Sequence, residues 1–190
     1  MVRYRHAPAF YSLTRAGRRC GYPSRMSVPV DVLRIHLRYT TWASARIVAA
    51  ASSLTSEELT RDFKSADGHV LATLAHVYAA DRAWFGRIQA APPAVFLDPE
   101  VDVRLAVLQQ EWPALLARWQ AWADALQDAS ETASYRDLQG KPHTTPLWQI
   151  VLHVVNHATH HRGQAAAMIR AMGHVPPPLD LIRYYRELSG

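Results

Sequence analysis

From Thr145 to Met172 the chain carries one unbroken helical pattern, and nine residues within it hold four of the ten histidines: His153, His157, His160 and His161. Thr145 followed by Pro146 is a strong start signal, a capping hydroxyl and then a proline at the first helical position. Gly173 supplies the stop. The apolar stripe centres on Leu147, Val151, Val154, Ala158, Ala165 and Ile169. Such a stripe must be buried against the rest of a core. His161 lies roughly 50° from the stripe's centre and His157 roughly 90°, whereas His153 and His160 lie roughly 130° and 150° away.

Residues four apart stack on one helix face, so His157 and His161 aim two imidazoles at one point. This is the spacing with which an HExxH helix holds zinc. The Glu of that motif is absent, so the metalloprotease reading fails while the two-ligand geometry survives. His153 and His157 share the spacing but fit a buried site worse. His153 and His160 point to solvent or to a partner subunit. A catalytic metal needs about three protein ligands and an open position. His76 is the best third candidate, on a second helical stretch where Ala72, Thr73, Ala79, Ala80 and Ala83 leave room for an ion. His6, His36, His69, His143 and His174 are weaker candidates: they lie in an unpatterned segment, at or near helix starts, or close to prolines.

Three imidazoles are neutral ligands. They leave the charge of a divalent ion undiminished and favour an anionic fourth ligand such as hydroxide or thiolate. Zinc, nickel, copper and iron all suit imidazole. A paired-carboxylate di-iron site would need Glu-x-x-His motifs, and the chain has none. Asn156, Asp81 and Gln164 are the candidates to orient the ligand rings. Asp81 falls close to an apolar face and must be paired or hydrogen-bonded there, with Arg162 or Arg46 as its expected partner.

The rest of the chain reads as further helices. Helical patterns run from about Asp31 to Ala51, from Asp67 or Gly68 to before Ala91, and from Val101 to Asp128. In the third, Leu108, Trp112, Leu115, Trp119, Trp122 and Leu126 follow a 4-3-4-3-4 spacing, the seam of a packed helix, with a kink expected at Pro113. Read this way, the tryptophans are core rather than a ligand platform. Gln139-Gly140 marks the tip of a short hairpin, and a terminal helix spans Asp180 to Leu188.

At 190 residues with 49% apolar content, the chain fits one globular domain. No apolar run is long enough for a membrane span. Cys20 is the only cysteine, which excludes an intrachain disulfide and fits a reducing, cytoplasmic setting. The pI of about 9.7 comes from one segment. Residues 1–25 hold six of the 21 basic side chains and none of the 16 acids, so the remainder carries 15 basic and 16 acidic groups, a net −1. That scattered charge does not resemble a nucleic-acid-binding face. Residues 1–26 have no apolar stretch of a secretory signal and read as a disordered extension or a mis-assigned start ahead of Met26. The packed domain is expected over 27–190.

Together these motifs resemble the DinB/YfiT-like family of metal-dependent proteins, which is unrelated to the DNA polymerase sharing the name. The resemblance runs from about Leu33 to Glu187. It is carried by Tyr39-Thr-Thr-Trp42 through Arg46, Leu74-Ala-His76 through Asp81-Arg-Ala-Trp84, and Pro146-Leu-Trp148. Its most specific part is His153-Val-Val-Asn156-His157-Ala-Thr-His160-His161-Arg162-Gly163-Gln164, followed by Gly173 to the Asp180–Tyr185 segment. Ser44 departs from it, standing where the motif usually has Asn. The resemblance implies an all-α four-helix bundle in up-down-down-up order, and one divalent ion (zinc, nickel or iron) held by His76, His157 and His161. It also implies a homodimer, acting on a small-molecule substrate with no nucleic acid or membrane partner. Relatives include thiol S-transferases and a thiol-dependent isomerase using low-molecular-weight thiols such as bacillithiol or mycothiol. The leading expectation is therefore a metal-dependent thiol transferase, with a metal-dependent hydrolase or a stress-related binding protein as alternatives and no catalytic residue assigned. The basic segment predicts one outcome of its own. A chain starting at Met26 should melt within a few degrees of the full chain, a difference of about 1 kcal/mol or less, checked by calorimetry.

Overall fold

The computed structural model describes residues 28–92 and 95–190. The basic segment 1–26, with His6 and Cys20, lies outside the described residues. Four long helices carry the core: α1 Val30–Ala51, α3 Val70–Ile88, α5 Leu105–Ala125 and α6 Leu147–Ala171. Two one-turn helices, α2 Ser56–Leu59 and α4 Pro99–Asp102, sit in the connections, and α7 Leu181–Leu188 follows α6. α1 packs against α5 and α6, and α3 packs against the same two from the other side. α1 and α3 barely meet, so they occupy opposite corners. Among the described residues, no helix is long and apolar enough to cross a membrane.

Several boundaries move relative to the sequence reading. The third helical pattern breaks at Val103 and Arg104, where the backbone leaves helical geometry, so its first turn stands apart as α4. Thr145 and Pro146 do not open α6 as cap and first residue. They complete strand β2, Pro142–Pro146, and the helix begins at Leu147. β2 pairs antiparallel with β1, Thr132–Arg136, in the register Ser134 to Thr144. The hairpin turns over Asp137–Gly140, where Gly140 takes a φ of 81°. The terminal strand pairing outcompetes the cap because the hydroxyl of Thr145 already faces Tyr135 Oη across the ladder at 3.2 Å.

Two buried charged side chains, Asp81 and Arg162, fix how the helices are rotated. Asp81 on α3 is 1% exposed. Its Oδ2 accepts the indole N–H of Trp112 at 2.8 Å, and its backbone carbonyl accepts that of Trp119 at 3.1 Å. Both tryptophans lie in the core seam of α5 and are themselves 1% exposed. Arg162, also 1% exposed, donates to Ser44 Oγ at 3.1 Å and Thr159 Oγ1 at 3.2 Å beneath the Tyr39 ring. Asp81 thus takes a tryptophan rather than either expected arginine as its partner. Arg46 instead pairs with Glu187 on α7 at 2.9 Å. Glu187 also accepts from Trp42 at 2.9 Å, and Tyr39 donates to the Leu179 carbonyl at 2.8 Å, so α7 and the segment before it close on α1.

Burial pushes the Asp81 carboxyl up to about 7, opposed by the Trp112 hydrogen bond and Arg162. The folded state therefore keeps a proton that the unfolded chain releases near pH 4. Through the window from about pH 4 to 7, this group makes stability fall as pH rises. Asp81→Asn keeps an acceptor for Trp112 and removes that slope, so its stability relative to the unmodified protein should grow across the window. Asp81→Leu leaves the indole N–H unpartnered and should cost about 1–3 kcal/mol. Urea titrations at pH 5 and pH 7.5 check both.

Candidate metal centre

α3 and α6 run side by side with opposed directions, as successive contacts show: His76 meets His157 and His161, and eight residues further along α3 Trp84 meets His153. The ring centroids of His76, His157 and His161 lie 4.5–5.1 Å apart. One nitrogen from each falls within 4.8 Å of the others, and all three side chains are half-buried. His76 Nε2 and His157 Nε2 approach to 3.2 Å. Two imidazole nitrogens on one tetrahedral ion, each at about 2.0–2.1 Å, stand about 3.3 Å apart. A hydrogen bond between two neutral rings would account for that one contact. It does not account for the third ring turned to the same point.

The protonation states suit ligation. Burial, reinforced by His161 and His76, pushes the His157 imidazole down to about 4. Burial and His76 also lower His161, with Asp67 and Gln164 acting in the opposite direction. Both rings are therefore neutral near pH 7, the form that binds a metal. His153 is lowered as well, by burial and then by Arg87, but it and His160 remain exposed.

Asp67 is the residue that sequence reasoning missed. Its carboxylate stands 3.3 Å from His161 Nδ1 and 4.0 Å from His76 Nδ1, the nitrogens facing away from the cluster's centre. A carboxylate in that position sets ring orientation and raises ligand basicity. The loop that holds it depends on Gly68, whose φ of 77° lets its carbonyl accept from Phe63 N at 2.7 Å. A side chain there would strain the loop by about 1–2 kcal/mol. The sequence pattern starts the second helix at Asp67 or Gly68, but α3 begins at Val70, which leaves Asp67 in the loop before it with the Asp-Gly turn as its sole signal. His157 Nδ1 and His161 Nδ1 are both buried without a hydrogen-bond partner, and the second has the Asp67 carboxylate 3.3 Å away.

The other candidates lie elsewhere. Asp81 is turned into the core on Trp112, and exposed Asn156 borders a groove between α6 and the prolines at 176–178. Gln164 acts on His161, favouring its protonated form. His69 caps α3 through Nδ1, which accepts from Ala72 N at 3.1 Å, while His143 pairs with Asp137 and His174 with Glu58. His36 is engaged with the Val32 carbonyl.

The chain is similar to known proteins. The chain is 24% identical over 149 residues to Protein DinB of Bacillus subtilis strain 168, covering 75% of this chain and 87% of that one. Its fold is similar to the crystal structure of a DinB-like protein from Bacillus cereus, with a TM-score of 0.57 at 16% identity, covering 75% of this chain and 94% of the other. The model of the DinB family matches residues 26–187, nearly everything beyond the basic segment. A helical core bringing three histidines to one point, together with that match, leads to one conclusion: the chain belongs to the DinB family.

Proposed function

We propose that His76, His157 and His161 hold one divalent ion (zinc, nickel or iron) in a bundle of the up-down-down-up order, and that the protein is a metal-dependent transferase for a low-molecular-weight thiol. The observation that carries this reading is the convergence of three half-buried, mutually close imidazoles, two of them held neutral by burial. A divalent ion held there would keep its full charge and lower the pKa of a thiol placed beside it. Asp67 holds His161 in orientation from the Nδ1 side of its ring. His76 is kept in place edge-on by Phe96, at 5.5 Å between ring centroids.

The same placement weighs against hydrolysis. A hydrolase would use a carboxylate facing the reacting water, whereas Asp67 lies on the far nitrogens of the rings. No other carboxylate among the described residues approaches the trio. The resemblance to a family that includes thiol S-transferases supports the thiol reading further.

Two measurements test it. After dialysis, metal analysis should find one equivalent in the unmodified protein and in His160→Ala, and none in His157→Ala. Asp67→Ala should retain the ion with affinity lowered about 10- to 100-fold, as expected for a group that orients a ligand. Equal metal content in His157→Ala and His160→Ala would refute the ligand set. For the chemistry, a panel of small thiols and electrophiles should show metal-dependent transfer that chelation and His161→Ala abolish. A free thiol with a pKa near 8.5 is only a few per cent ionised at neutral pH, so the gain in reactive fraction is about one to two orders of magnitude. Absence of turnover, with no thiol altering the visible spectrum of the cobalt-loaded protein, would rule the transferase out.

A further inference from the structure

A cavity of about 420 Å³ lies further along α3 from the histidine trio, none of whose members lines it. α3 floors it with Ala83, Gly86 and Arg87, the loop carrying Phe96 forms one wall, and β1 with the following turn forms the other. Its volume falls in the range of small-molecule sites. Two features join it to the trio. His76 and Arg87 are three turns apart on α3 and share one face to within roughly 20°. Phe96 touches the His76 ring edge-on and also lines the cavity.

Arg87 is the unusual group here. Its guanidinium lies 4.3 Å from the Trp84 ring centroid and 5.0 Å from that of Tyr135. It is half-buried, and among the described residues it makes no direct hydrogen bond or ion pair, while the Asp137 carboxylate acts on it at longer range. The other cations of the cavity have direct partners. Arg82 makes two hydrogen bonds to Asp102, at 2.8 and 2.7 Å. Arg136 donates to the Gly140 carbonyl at 2.7 Å, and Asp137 is paired with His143 at 2.8 Å. One positive charge is left over. Contact with two aromatic rings holds the guanidinium in place and leaves its N–H groups without an acceptor, open to a carboxylate. Partial burial makes such a pair stronger than it would be on an open surface.

We propose that this cavity is a carboxylate subsite, in which Arg87 holds the monoanionic end of the molecule whose reacting atom lies at the histidine trio. The axial rise from His76 to Arg87 is about 16 Å, and the arginine side chain leaning back toward the helix N-terminus takes up much of it. A chain of about six carbons then spans the remainder. The link to a reaction rests on the metal-dependent reading above; carboxylate binding by Arg87 does not.

The test separates the two. In the metal-free full chain with labelled arginine, titration with hexanoate should move the Arg87 Nε–H resonance saturably, and 1-hexanol should not. The resonance is identified by its loss in Arg87→Lys. No saturable shift overturns the proposal whatever the metal does. Tighter binding of hexyl phosphate than of hexanoate overturns the assignment to a monoanion. In the cobalt-loaded protein, 6-mercaptohexanoate should perturb the visible spectrum at about tenfold lower concentration than 6-mercaptohexanol. That preference should vanish in Arg87→Gln, with circular dichroism confirming that Arg87→Gln and Arg87→Lys fold. Equal affinity of the acid and the alcohol in the unmodified protein overturns the subsite. A hexanoate response at Arg87 with no thiol effect on cobalt supports the subsite and removes the thiol reading alone.

Discussion

Two indole N–H groups, one turn-pair apart on α5, grip a single residue of α3. Trp112 takes the Asp81 side chain and Trp119 takes its carbonyl. Apolar packing is non-directional and would tolerate some rotation of α3 about its axis. A buried donor aimed at a buried acceptor would not, because breaking it leaves both ends desolvated and unpaired. Arg162 does the same for α6 by reaching Ser44 on α1. It immediately follows His161 in the chain, so the residue that locks the rotation of α6 and the residue turned to the cluster are neighbours. The position of His76 relative to His157 and His161 therefore depends on polar contacts deep in the core and on the opposite side of these helices.

Such a core is costly to assemble. Asp81 Oδ1 and the Arg162 Nε are both buried without hydrogen-bond partners. Burial raises the Asp81 pKa and lowers that of Arg162, so each is displaced toward its neutral form. The histidine cluster shows the same pressure, since burial pushes His157 down to about 4 and leaves it neutral above that pH. The two trends act oppositely on stability: below neutral pH, Asp81 favours folding as protons are taken up while His157 opposes it. A flat pH profile of the whole protein would conceal two steep contributions.

Long periodic elements are legible in the sequence, and the contacts between them much less so. The i, i+4 placement of His157 and His161 and the greater exposure of His153 and His160 follow from helical geometry alone. That His76 meets that pair depends on how α3 lies on α6. In the sequence this is an inference from the small residues around His76 and from family resemblance. Asp67 escapes because it acts from an aperiodic loop whose shape depends on one left-handed glycine. Asp81 is recognisable as a buried carboxylate, yet its partner is not, since charge suggests arginine and the fold supplies an indole. The Thr145-Pro146 start signal is locally sound and loses to strand pairing with residues more than ten positions upstream, which no local pattern records.

The closure of α7 on α1 has a consequence for how the protein is made. Glu187 holds Arg46 and Trp42 across separations of 141 and 145 positions. A ribosome adds about 5–20 residues each second, so α1 would emerge roughly 7–28 s before the helix that covers its aromatic flank. Throughout that interval Tyr39 and Trp42 lack their final partners and stand open to whatever else binds exposed rings. The first helix of the fold is thus among the last to be finished, and a nascent chain stalled before residue 180 would present to the cell a sticky surface that the completed protein hides.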